Sequence, residues 1–254
     1  ALLDDGASVP FIARYRKEVT NGLDDTQLRN LEEKLRYLRE LDDRRATVLK
    51  SIAEQGKLTD ALKAAILAAE TKIRLEDLYL PYKQKRRTKA EIAREAGLQP
   101  LAMALLTDAR LDPMVAAADY LNQEVIDTQA ALDGARQILM EHFAEDADLL
   151  AALRDYLTTH GVIVSKVAPE KAQEGAKFSD YFDYSEALGK IPSHRALALF
   201  RGRNESILQV SLQIAGEDDF ETHPCAGIIA RKFNLENRGR AGDAWMQETV
   251  RWAW

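Results

Sequence analysis

The sequence predicts a mainly α protein: a multi-helical bundle with a helix-turn-helix-like region and a small two-strand β element. Three observations carry that reading. Apolar residues recur at spacings of three and four over most of the chain, which lines one face of a helix. Short polar residues able to cap helices stand just ahead of those runs. Glycine and proline number only 13 and 7 in 254 residues, which leaves little turn chemistry for a multi-strand architecture.

The first long helix starts at Asp24 or Asp25, whose short carboxylates accept hydrogen bonds from free N–H groups. Leu28, Leu31, Leu35 and Leu38 line one face. The frame lapses at Asp42 and Arg45, resumes at Leu49 and Ile52, and ends at Gln55-Gly56. Two heptads are too few for a coiled coil, so a helical hairpin with the next segment is expected. There Thr59 caps a run carrying Leu62, Ala65, Ile66 and Ala69. A helix through Ile73, Leu75, Leu78 and Tyr79 must stop near Leu80, because Pro81 disfavours helical geometry at the residue before it.

Thr88-Lys89-Ala90-Glu91 reads as a capping box opening a short helix that ends at Gly97. Another helix begins near Pro100, and Asp112-Pro113 opens the next. Helices follow at Thr128–Ala144 and Ala147–His160. The period then changes. Val162-Ile163-Val164 and the alternating stretch from Ile207 to Ile214 read as two strands, separated by helical pieces near Phe178–Phe182 and Arg195–Phe200. Pro224–Phe233 and Asp243–Trp254 return to helix. The change at Gly161 suggests a boundary between a helical region, 1–160, and a mixed region, 161–254. The opening on Ala1-Leu2-Leu3 and the closing Trp252-Ala253-Trp254 suggest a piece of something longer.

No apolar run approaches the roughly 18 residues of a membrane span, and no secretory signal is visible. The single Cys225 excludes an internal disulfide or a multi-cysteine zinc site, so a cytoplasmic location is expected. The formal net charge of −6 argues against a uniformly basic nucleic-acid binder, but the charge is unevenly spread. From Pro81 to Gly97, Lys83, Lys85, Arg86, Arg87, Lys89 and Arg94 outweigh Glu91 and Glu95 for a net +4. From Leu98 to Val164 the net is −8.

Catalytic constellations are absent from the pattern. His142, His160, His194 and His223 are scattered and none has a ligand partner at metal spacing. No phosphate-binding loop, Rossmann fingerprint or HExxH motif occurs. Cys225 stands two residues from His223, but a small buried residue on an amphipathic helix explains it better than a nucleophile. No enzyme activity, cofactor, metal or small-molecule substrate is expected.

Three basic clusters remain. In Lys83-Gln84-Lys85-Arg86-Arg87-Thr88-Lys89, cations could displace counterions from a phosphate backbone beside the N-terminus of the following helix. The short helices after it would suit a helix-turn-helix. The alternatives are a solvated loop, pairing with the acidic segment that follows, or a protein partner. Tyr79 and Tyr82 could stack on bases, although packing at a helix end is the commoner role of such residues. The second cluster holds Arg195, Arg201 and Arg203, with no acid between Lys190 and Asn204. Ser193 can cap its helix, whose last turn suits cations. The third, Arg14-Tyr15-Arg16-Lys17, is answered by Glu18 and fits a local salt bridge or an interdomain contact as well as nucleic acid.

At these residues the sequence resembles the Tex family of bacterial transcription accessory proteins. The resemblance is carried by Gly6-Ala7-Ser8-Val9-Pro10-Phe11-Ile12-Ala13-Arg14-Tyr15-Arg16-Lys17-Glu18, by Leu23–Leu28 and by Leu75-Glu76-Asp77-Leu78-Tyr79-Leu80-Pro81-Tyr82-Lys83. Further on it is carried by Phe182–Glu186 and Ile191-Pro192-Ser193-His194-Arg195-Ala196-Leu197-Ala198-Leu199-Phe200-Arg201-Gly202. It implies a cytoplasmic protein that binds nucleic acid and affects transcription, with the transcription machinery as a further partner. In the family a helical N-terminal region with a helix-turn-helix precedes a ribonuclease H-like domain, helix-hairpin-helix modules and an S1 domain, the principal nucleic-acid binder. The resemblance therefore implies that this chain covers the first of these parts.

Overall fold

Asp24 starts the longest helix of the protein. Its carboxylate accepts the Gln27 N–H at 2.8 Å while the Gln27 side-chain oxygen accepts the Asp24 N–H at 3.0 Å. Two otherwise orphaned donors are satisfied in this way, a cap worth about 1 kcal/mol. The computed structural model describes residues 2–84, 86–214 and 223–254, and the chain divides into two compact units, Ala1–Lys83 and Gln84–Trp254.

The first unit is built on α1 (Val9–Tyr15), α2 (Lys17–Thr20), α3 (Asp25–Glu54), α4 (Asp60–Leu67) and α5 (Lys72–Tyr79), with a 3-10 turn over Leu80–Tyr82. Leu28 of α3 is buried with Val9 and Ile12 of α1. Farther along, Leu41, Val48 and Ile52 form a second core with Ile66 of α4 and Leu75 of α5, which is the expected hairpin closed by one more helix. Thr59 caps α4 by accepting the Leu62 N–H. Between the two cores the leucine stripe is uncovered: Leu31 and Leu38 are 50% and 42% exposed. Spacing alone marks a face as apolar without saying what covers it.

The lapse of the stripe at Arg45 has a structural reason. Arg45 donates from Nε to the Ile66 carbonyl at 3.1 Å and from Nη2 to the Ala69 carbonyl at 2.8 Å. It thus reaches carbonyls at and just beyond the end of α4, of which that of Ile66 also accepts the Ala69 N–H at 3.3 Å. Next to it, Arg44 forks onto Glu76 at 2.6 and 3.1 Å and ties α3 to α5. That hydrogen bond first, then the Arg44 charge and Lys83 nearby, hold the Glu76 carboxyl below its usual range.

The second unit runs through α6 (Lys89–Glu95), α7 (Gln99–Thr107), α8 (Pro113–Ala117), α9 (Thr128–Ala144) and α10 (Ala147–His160). It continues with β1 (Gly161–Val167), β2 (Asp183–Ala187), α11 (Ser193–Asn204), β3 (Leu208–Ile214), α12 (Pro224–Lys232) and α13 (Asp243–Ala253). The central element is α9, which buries Ala131, Leu132, Ala135, Ile138, Leu139 and Phe143 and packs against α6, α7, α8 and α13. At Gly134 a Cβ would lie 2.3 Å from Cδ1 of Leu98, so glycine is what lets the α6–α7 turn approach the helix.

Helix gives way to sheet at Gly161. The sheet has the order β2-β1-β3 and is antiparallel throughout, with Ser165 opposite Tyr184 on one side and Val210 on the other. The two strands read from the pattern are therefore paired, and β2 adds a third. The segment Asp183-Tyr184-Ser185-Glu186-Ala187 is a short polar edge strand, and an edge strand with one exposed side needs no apolar alternation. Ser193 is not the cap of α11. Pro192 holds that position without a side-chain bond, and Ser193 is already helical. Among the described residues no helix is long and apolar enough to cross a membrane.

Candidate nucleic-acid interface

The first basic cluster is consecutive in the chain and falls where the two units meet in sequence. Lys83 ends the first unit, while Arg86, Arg87 and Lys89 open the second; Lys85 lies outside the described residues. Lys83, Arg86, Arg87 and Lys89 are exposed. Thr88 shapes the stretch entering α6: its hydroxyl oxygen accepts the Glu91 N–H at 3.1 Å and its proton goes to Glu141 of α9 at 3.0 Å. The reciprocal half of the expected capping box is missing, because the Glu91 carboxylate accepts from Arg94 instead.

The cations of this stretch fall into two groups. Arg94 pairs with Glu141 at 2.6 Å and with Glu91 at 3.3 Å, and Arg87 pairs with Glu95. Arg87 is thus neutralised from within the basic stretch, and the acidic segment that follows reaches only Arg94, through Glu141. The side chains of Lys83, Arg86 and Lys89 form no hydrogen bond or ion pair among the described residues; Arg86 and Lys89 face water, while the Lys83 charge also lies near Glu76. Exposed unpaired cations beside a helix N-terminus suit phosphate oxygens, since they supply charge while the first-turn amides supply donors.

The two helices after the loop are joined by a tight turn in which Gly97 adopts φ +84°, a conformation open to glycine without a Cβ penalty. The second of them, α7, contains no lysine, arginine or histidine and buries Leu101, Ala102 and Leu105. Its Thr107 hydroxyl is returned to the Met103 carbonyl at 2.8 Å. A helix of this composition offers few groups to a groove, and the charge resides ahead of α6.

In the second cluster, Arg195 reaches Glu186 of β2 at 3.3 Å, and Arg201 reaches Glu205 at 3.1 Å. Glu205 also takes Lys177 at 2.6 Å. The Glu186 carboxyl is held below its usual range first by the Tyr184 hydroxyl and then by Arg195, and the Glu205 carboxyl by Lys177 and then Arg201. Arg203 alone of the three arginines has no such partner among the described residues. The helix carrying them packs on β3, and no hydrogen bond or ion pair joins it to the stretch before α6 among the described residues. In the third cluster Arg16 pairs with Glu18 at 2.9 Å, the local bridge allowed by the sequence, while Arg14 lies over the exposed ring of Tyr15.

Tyr79 and Tyr82 pack against the core of the first unit. The Tyr79 hydroxyl meets Ser51 at 3.0 Å and Arg44 covers its ring. Cys225 is buried, and the His223 ring accepts the Cys225 backbone N–H, which caps α12. Sequence reasoning missed Glu141, which gathers Thr88 and Arg94 from 53 and 47 positions away, and Arg136, which anchors α13 to α9. A lone charge within an apolar helical frame was the available signal for both.

The architecture is mainly helical, with one small antiparallel sheet. The comparisons with known proteins define the family. Residues 1–53 match the Tex-like protein N-terminal domain and residues 108–254 match the Tex central region-like family. Over 255 residues the chain is 57% identical to the transcriptional accessory protein Tex of Neisseria gonorrhoeae, covering all of this chain and 33% of that protein. It is 54% identical to protein tex of Bordetella pertussis, again covering all of this chain and 33% of the relative. At 32% identity, 94% of the chain aligns with 24% of the human S1 RNA-binding domain-containing protein 1. The chain belongs to the Tex family and spans about a third of the length of the bacterial relatives.

Proposed function

We propose that this chain is a helical scaffold of a cytoplasmic, nucleic-acid-associated transcription accessory protein, and that it contacts DNA or RNA weakly through Lys83, Lys85, Arg86, Arg87 and Lys89. The carrying observation is that Arg86, just ahead of the Thr88-capped helix, and Lys89, its first residue, have exposed side chains unpaired among the described residues. The names of the relatives, a transcriptional accessory protein and an S1 RNA-binding domain-containing protein, support the same reading. Contact made mainly by a few cations is electrostatic, with little sequence preference and a steep loss of affinity with salt. Filter binding of labelled single-stranded and duplex oligonucleotides at low ionic strength tests it. Retention that weakens for the Lys85→Ala/Arg86→Ala/Arg87→Ala variant is expected, and no retention at low salt contradicts direct contact. Arg195, Arg201 and Arg203 are secondary, because two of them already hold carboxylates. No catalytic step is part of this function, and Mg²⁺-dependent cleavage by the chain would contradict that.

A second reading is a scaffold for protein or interdomain contacts, with the transcription machinery among the partners. The observation that favours it is the uncovered stripe at Leu31 and Leu38 together with Phe11 and Tyr15, 47% and 61% exposed on α1. A pull-down with and without nuclease separates the readings, since a protein partner survives nuclease and a nucleic-acid bridge does not.

A further inference from the structure

We propose that the groove between α12 and α13 binds a nucleoside phosphate, either free or as one unit of a single strand. The site is separate from the stretch before α6 and does not rest on that reading. The two helices turn Cys225, Ile229, Met246 and Val250 into the core. Their other faces enclose a cavity of about 490 Å³, lined among others by Gly227, Ala230, Arg231, Asn237, Gln247 and Arg251. That volume lies within the roughly 300–1,000 Å³ of ligand pockets and far exceeds the ~30 Å³ share of a single water.

The lining is small at the floor and cationic at the walls. A Cβ at Gly227 would sit 3.5 Å from Nη1 of Arg231, so that guanidinium lies over the glycine and the floor stays open beneath it. The side chains of Arg231 and the half-buried Arg251 form no hydrogen bond or ion pair among the described residues. Neighbouring cations behave differently: Lys232 holds Asp146 and Asp148, Arg240 holds Asp243, and Arg136 holds Glu248. In a chain of net charge −6, two arginines in one cavity without acidic partners among the described residues form a local anion site.

The amides add selectivity. Asn237 uses its oxygen to accept the Gly239 N–H, so its NH₂ remains a donor. Gln247 donates its NH₂ to the Leu235 carbonyl, so its oxygen remains an acceptor. Planar guanidinium forks match phosphate oxygens, and a donor and an acceptor amide match a base edge. A bare phosphate would leave most of the volume and both amides unused.

The test titrates the full 254-residue chain with a fluorescent adenosine monophosphate and, separately, with a labelled single-stranded oligonucleotide. The variants are Arg231→Gln/Arg251→Gln, which removes the charge, and Gly227→Leu, which fills the floor and keeps it. Thermal unfolding verifies that both fold. Weakening of about tenfold or more by the double variant is expected from the loss of charge-assisted hydrogen bonds. A comparable loss is expected for Gly227→Leu. Binding of the mononucleotide identifies a free ligand, whereas binding of the strand alone, with the same sensitivity to Gly227→Leu, identifies one unit of a chain. If neither probe binds, or if binding ignores Gly227→Leu, the proposal is overturned.

Discussion

Arg136 of α9 donates to Glu248 of α13 at 2.7 Å, and its guanidinium lies between the rings of Trp245 and Trp252 at 5.5 and 5.1 Å. The side chain is almost fully buried, whereas Glu248 is half exposed. The charge is therefore accommodated by stacking as much as by its partner. Arg136→Ala should lower the stability of the second unit by roughly 2–4 kcal/mol, as loss of packing and of a partly buried ion pair would give. Arg136→Lys should not restore it, because a lysine lacks the planar fork. All three tryptophans belong to the second unit, so urea unfolding followed by tryptophan emission reads this directly.

The contact of Arg45 with the end of α4 makes a parallel prediction for the first unit. Its two bonds to the Ile66 and Ala69 carbonyls are part-buried. Arg45→Ala should cost about 2 kcal/mol, at roughly 1 kcal/mol per hydrogen bond. Residues 1–83 contain no tryptophan, so far-UV circular dichroism is the suitable signal.

Gly134 tests how α9 holds the helix that follows the basic stretch. In an open helix, glycine to alanine gains about 1 kcal/mol of helix propensity. Here the added methyl would collide with Leu98, which is buried, and meet Ala93 at 3.3 Å. Gly134→Ala should therefore destabilise, by roughly 1–3 kcal/mol of overpacking. A more stable variant in denaturant unfolding would contradict the close approach.

Asp243 gives a pH dependence. Its carboxylate pairs with Arg240 and accepts the backbone N–H groups of Arg240 and Arg238 at 2.9 and 2.7 Å. The Arg240 side chain is the largest cause holding its pKa down at about 2, against an ordinary 3.8. A depressed folded pKa means that the unfolded chain takes up the proton first. The stabilisation is thus complete above pH ~4 and is lost as pH falls towards ~2. Between those values the parent chain should lose more stability than Asp243→Asn, measured as the denaturation midpoint against pH.

Capped helices were legible because their signals are local. Asp24, Thr59, Asp112 and Thr88 each bond to amides within three residues, so the sequence contains both partners. What stayed hidden depends on distant chain. Arg45 looked like a fault in an apolar frame because its acceptors lie 21 and 24 residues on. The strand at Asp183–Ala187 was missed because its partner β1 supplies the pairing that its own composition does not announce. The same holds at the basic stretch. Sequence displayed its cations, but only the fold tells Arg87, held by Glu95, from Arg86 and Lys89, which hold nothing among the described residues.

Those unpaired cations are where the functional account is most exposed to test. Fluorescence anisotropy of a labelled oligonucleotide, titrated at several salt concentrations, compares the parent chain with Lys83→Ala/Arg86→Ala/Lys89→Ala. Each phosphate contact contributes about 0.7–0.9 to the slope of log K against log salt. The account predicts a slope shallower by about 2–3 in the variant, with weaker binding at low salt. An unchanged slope, or a parent chain that binds nothing at low salt, would contradict it.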